Sequence, residues 1–138
     1  MKKYIDSNVF IIPLVESLDN QKYFACKNIL KSIINNEFEA VTSLLTWDEV
    51  VHVLNKKLGR EIGLKHGEKF LRMPNLKFVN VDKSIIFLAQ RIMNNYNVKP
   101  RDAIHSATAI LHGDKKIISD DSDFDKINEI KRIKVGKS

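Results

Sequence analysis

Apolar positions along this chain follow two periods. Short runs at 3–6, 39–43, 76–81, 116–119 and 130–135 read as strands. Between them the apolar residues recur three and four apart, the period of a helix. Phe24, Cys26, Ile29, Leu30, Ile33 and Ile34 form one such stripe, with Lys22, Lys27 and Lys31 outside it. Val50, Val51, Val53, Leu54 and Leu58 form a second, and Ile85, Leu88, Ala89 and Ile92 a third.

The punctuation supports this reading. Ser7 is placed to cap a helix over Asn8–Ser17, with Pro13 predicting a kink or break inside it. Leu18-Asp19-Asn20 reads as a turn, Asp19 or Asn20 capping the next helix. Thr46 and Glu49 have the spacing of a capping box. Gly59 or Gly63 ends that helix, and another runs from Gly63 to Met73 before the Pro74-Asn75 break. Asp82 caps a helix to about Asn95, Pro100 opens the next, and Gly113 closes it. Strands alternating with helices predict a single α/β domain over 1–138, a parallel sheet covered on both faces.

Composition narrows the class. Hydrophobic residues at 43% and charged residues at 29% fit a globular chain and exclude a disordered one. Cys26 is alone, so no intrachain disulfide forms, as suits a reducing compartment. No apolar run reaches the roughly 20 residues of a membrane span. Asp6 and Asn8 interrupt the apolar start, which excludes a signal peptide and predicts a cytoplasmic protein. Twenty-three basic against 17 acidic residues, a net +6, favours a polyanionic partner, nucleic acid above all. Neither GxGxxG nor GxxxxGK[ST] is present, so nothing supports a dinucleotide or P-loop site.

The candidate chemistry is carboxylate. Ligands of parallel sheets bind at the carboxyl ends of the strands. Asp6 ends the first strand, Glu49 opens the helix after the second, Asp102 opens the helix before the fourth, and Asp120, Asp121 and Asp123 follow the fourth. Crowded carboxylates stay ionised only beside cations, and hard oxygen ligands favour Mg2+ or Mn2+. Such ions activate water against a phosphodiester. Each acid also has a plainer reading: Glu49 as half of the capping box, Asp102 as a complement to the helix dipole, Asp120 and Asp123 as turn or cap residues. Ser7, Asn8 and Ser119 stand close enough to hydrogen-bond a carboxylate. His105, one turn after Asp102, reads more readily as a packed or exposed helix residue than as a base.

Four segments in this order, YIDSNVF, LTWDEVVHVL, KPRDAIHSATAI and IISDDSDFDKI, resemble the acidic motifs of the PIN domain family, and most of all its stand-alone toxin ribonucleases of the VapC kind. The resemblance covers nearly the whole chain. It implies a three-layer α/β/α sandwich with strand order 3-2-1-4-5. It also implies Mg2+- or Mn2+-dependent cleavage of single-stranded RNA, leaving 5′-phosphate and 3′-hydroxyl ends. By motif, Asp6, Glu49, Asp102 and Asp121 match the catalytic acids, with Asp6, Asp102 and Asp121 on the metal. Ser7, Asn8, Ser119, Asp120 and Asp123 support them, and Asp120 and Asp123 compete with Asp121 for the fourth place. Ser119 stands where the family usually has Thr. The resemblance further implies a homodimer held inactive by a small antitoxin. A nuclease of RNA processing or repair, or a non-catalytic RNA- or protein-binding module, are the alternatives. A haloacid-dehalogenase-type phosphatase would need an acid where Asn8 stands.

Overall fold

A computed structural model describes residues 1–16 and 20–136. The chain runs β1 (Lys2–Ile5), α1 (Ser7–Val15), α2 (Gln21–Ile34), β2 (Glu39–Ser43), α3 (Leu45–Leu58), α4 (Arg60–Leu71), β3 (Leu76–Val79), α5 (Lys83–Asn95), α6 (Pro100–His112), β4 (Lys116–Ser119), a short 3-10 turn (Ser122–Lys126) and β5 (Lys131–Lys134). Five parallel strands form one sheet in the order β3-β2-β1-β4-β5, as expected.

Strand alternation builds two cores. Tyr4, Val41 and Ile117 point to one face, where Ile85, Ala89 and Ile92 of α5 and Ala103 and Ala107 of α6 cover them. Ile5, Ala40 and Ile118 point to the other, against Val9 and Phe10 of α1, Cys26 and Ile33 of α2, Val50 and Leu54 of α3, and Phe70 of α4. Helices therefore cover both faces of the central strands, as a parallel sheet requires.

Several boundaries differ from expectation. Asp6, not Ser7, caps α1: its Oδ1 accepts from the Ser7 N–H at 2.8 Å, because β1 stops one residue earlier than expected. Pro13 does not break the helix. It lies in the final turn, where its missing N–H removes one bond, and the Glu16 N–H closes on the Ile12 carbonyl at 2.9 Å. The expected turn at Leu18-Asp19 and helix end at Ser17 lie outside the described residues, while Asn20 caps α2 through the Lys22 N–H. Gly59 ends α3 at φ +96°, a conformation that favours glycine, and α4 starts at once rather than at Gly63. Asp82 and Pro100 open α5 and α6 as expected. β3 and β5 are shorter than their apolar runs.

Candidate active site

The carboxyl ends of β1, β2 and β4 share one edge, and α6, running back towards β4, starts there too. Asp6 leaves β1 in extended conformation (φ −78°, ψ 157°) and is only 5% exposed. Three donors hold it: the Ser7 N–H on Oδ1, and on Oδ2 the Ser119 hydroxyl at 2.6 Å and the Asn8 amide at 3.1 Å. Asn8 also donates to Ser119 Oγ at 3.2 Å and accepts from the Asp120 N–H at 3.3 Å, which ties β1 to the loop after β4. Burial pushes the Asp6 carboxyl up, against the pull of His105, Ser119 and Ser7.

The capping box does not form. Leu44 is already helical (φ −59°, ψ −24°), so Thr46 falls inside the first turn of α3 and points inward. Its hydroxyl meets Thr42 Oγ1 at 2.7 Å, and Ser43 Oγ takes the Leu45 N–H instead. Glu49 is thereby released from capping. Its Oε1 accepts from His105 Nε2 at 2.6 Å. Burial pushes Glu49 up, but His105, Ser7 and nearby Arg101 outweigh it and hold the carboxyl below its ordinary value.

Asp102 lies in the first turn of α6, half-buried, and its pKa is pushed up to about 6. Burial is the main cause, followed by the charges of Asp121 and Asp6. Asp121 caps the 3-10 turn, its Oδ1 accepting from the Asp123 N–H at 2.9 Å, and its own N–H donates to Ser119 Oγ at 3.0 Å. Asp102, Asp121 and Asp123 each offer an oxygen within 4.8 Å of the others, and Asp6, Glu49 and His105 form a second such trio. Asp120 points elsewhere, to Lys22 Nζ of α2 at 3.0 Å.

Sequence reasoning undervalued His105. It is 1% exposed, with Nε2 3.8 Å from Asp6 Oδ1 as well as on Glu49. Burial pulls its pKa down, but Tyr4, Glu49 and Asp6 push it well above the ordinary histidine value. Its spacing of three from Asp102, which puts both on one side of α6, was the available signal.

The donor set is carboxylate oxygen, both His105 nitrogens being engaged by Tyr4 and Glu49. The raised Asp102 marks a cluster short of positive charge, and both features fit a hard divalent cation. Around the acids stand cations: Lys22 on Asp120, Lys126 on Asp123 at 3.5 Å, and Arg101, which reaches Asp48 at 3.5 Å.

Fold and site together define a doubly wound α/β domain with an acidic cluster at the carboxyl edge of its sheet. The chain belongs to the PIN domain family, which matches residues 3–130. Over 67 residues it is 34% identical to Ribonuclease VapC6 of Methanocaldococcus jannaschii, a stretch covering 49% of this chain and 44% of that relative. Among solved structures, VapBC2 from Rickettsia felis, bound to a DNA fragment from its promoter, aligns with a TM-score of 0.74 at 14% identity, covering 97% of this chain and 98% of that one. Mycobacterium tuberculosis VapC20, described as a sarcin-ricin loop cleaving toxin, gives 0.72 at 13% identity, covering 89% and 92%. FitAcB from Neisseria gonorrhoeae gives 0.70 at 17%, covering 95% and 96%. At these identities the likeness shows the fold.

Proposed function

We propose that this chain is a Mg2+- or Mn2+-dependent endoribonuclease that hydrolyses single-stranded RNA, and that it serves as the toxin of a toxin–antitoxin pair. The observation that carries the reading is that the carboxyl edge of the sheet bears two trios of possible ligand atoms, each within 4.8 Å, Asp6 with Glu49 and His105, and Asp102 with Asp121 and Asp123. Asp6, Asp102 and Asp121 would hold the ion, with Glu49 beside them and Asp123 assisting. A bound divalent ion supplies an activated water and neutralises the charge of the phosphodiester.

The chain's own groups prepare that edge. Ser7, Asn8 and Ser119 fix both oxygens of Asp6. Buried hydrogen bonds of this kind hold a ligand in one rotamer. Lys22, Lys126 and Arg101, about half exposed, stand where an RNA backbone would pass and can exchange their carboxylate partners for phosphates. Retention of all four acids favours a nuclease over a non-catalytic binding module.

The toxin assignment rests on similarity to Ribonuclease VapC6, with the fold shared by a solved toxin–antitoxin complex from Klebsiella pneumoniae and by the toxin VapC20 in support. A small antitoxin, a homodimer and a cytoplasmic setting follow from the same reading. Among the described residues no helix is long and apolar enough to cross a membrane.

Cleavage of a labelled single-stranded RNA by purified variants tests the site. Asp6→Asn and Asp102→Asn are each expected to lose at least about 100-fold in rate, with circular dichroism unchanged. Full activity in either, at unchanged metal affinity, would overturn the assignment.

A further inference from the structure

Behind the acidic edge lies a chain of buried polar groups that the hydrolytic reading leaves unexplained. His105 Nδ1 is hydrogen-bonded to the Tyr4 hydroxyl. That hydroxyl also accepts from the Ser43 N–H at 3.1 Å and lies 3.5 Å from Thr46 Oγ1. Thr46 meets Thr42 at 2.7 Å, and Thr42 donates to the Ile5 carbonyl at 2.7 Å. Tyr4, Thr42, Ser43 and Thr46 are 0% exposed and His105 1%. Among the described residues no buried side-chain nitrogen or oxygen lacks a partner. The network is therefore complete, and its one outlet is His105 Nε2.

That outlet faces two carboxylates, Glu49 Oε1 at 2.6 Å and Asp6 Oδ1 at 3.8 Å. A carboxylate only accepts, so Nε2 carries the proton and donates. Glu49 stands on α3 and His105 on α6, on opposite faces of the sheet, so this hydrogen bond bridges the two layers over the edge. An acid in the second turn of α3, 16% exposed and close to another acid, would otherwise swing out into solvent.

We infer that His105 is a positioning residue of the nuclease site. It holds Glu49 towards Asp6, and its ring is locked from behind by Tyr4, itself anchored on Ser43 and Thr46. The inference rests on the proposed nuclease reading for its kinetic consequence, but not for its geometry.

The two ring nitrogens allow a discriminating test. His105→Gln keeps a donor near the place of Nε2, His105→Asn one near Nδ1, and His105→Ala neither. With single-stranded RNA and Mg2+, His105→Ala is expected to lower kcat about 10–100-fold with KM nearly unchanged. His105→Gln should recover most of the loss, and His105→Asn should resemble His105→Ala. Tyr4→Phe should lower kcat in the same direction, and the double variant Tyr4→Phe/His105→Ala should be no worse than His105→Ala alone. A fall alike in all three His105 variants, in step with melting temperature, would overturn the proposal, as would a change confined to KM.

Nitrogen-15 NMR of the imidazole separates this from failure of the nuclease reading. A protected Nε2–H resonance should be present in the wild-type protein, lost in Glu49→Ala and retained in Asp102→Asn. If the wild-type protein cleaves no RNA, the nuclease reading falls and this arm alone decides. A missing resonance, or one that survives Glu49→Ala, then overturns the positioning contact.

Discussion

Asp102 carries the clearest electrostatic tension in the molecule. Its folded pKa of about 6 stands above the ordinary 3.8, so folding favours the protonated form. The stability this confers is complete below the ordinary value and is lost as the pH rises through about 6. In chelator at pH 7.5, Asp102→Asn should therefore melt above the wild-type protein, and the gap should close near pH 4. Thermal denaturation across that window checks it, and equal melting temperatures at pH 7.5 would refute the crowding argument. Cys26 makes a second residue-level case. Burial pushes its thiol up to about 12, so iodoacetamide at pH 8 should label it only after denaturation. The acids were legible in the sequence because strand ends and first helical turns are local features. His105 was not, because its meaning depends on Glu49, 56 residues away.

At the scale of elements, α3 and α4 pack closely through glycine. A Cβ on Gly67 would stand 2.7 Å from Val51 Cγ2 and 3.2 Å from the Trp47 indole nitrogen. Alanine improves helix propensity by roughly 1 kcal/mol, while overpacking costs about 1–3 kcal/mol. The branched Val51 has little room to yield, so Gly67→Ala should destabilise the protein in urea titration, and a stabilised variant would contradict this packing. The periods of 2 and 3.6 made nearly every element readable, and the short edge strands lost only their ends. The capping box failed because Thr46 had a tertiary competitor. Thr42 and Tyr4 take its hydroxyl in the core, and this is what leaves Glu49 free for His105. A local motif gave way to a buried network, and Glu49 is left facing His105 and Asp6 at the sheet edge.

For the whole molecule, strand order gathers what the sequence scatters. Pairing of β1 between β2 and β4 brings Asp6, Glu49 and Asp121 to one edge, and the return direction of α6 adds Asp102. The parallel alternation was visible in the pattern, whereas the order of strands came from family resemblance and is confirmed by the pairing. The net charge of +6 acts at this scale as well. Single-stranded RNA binding by Asp6→Asn should weaken steeply with salt, and Lys22→Ala or Arg101→Ala should each reduce the slope of log K against log salt by roughly 0.7–1. A slope unchanged in both would remove the basic rim from the RNA path.

The central claim is metal-dependent hydrolysis, and the chemistry of the product ends tests it most directly. Chelator-stripped protein is incubated with a labelled single-stranded RNA, with and without added Mg2+, and the fragment termini are identified. Cleavage only with the ion, leaving 5′-phosphate and 3′-hydroxyl ends, is the expected result. Cleavage that persists in chelator, or that leaves a 2′,3′-cyclic phosphate, would contradict it.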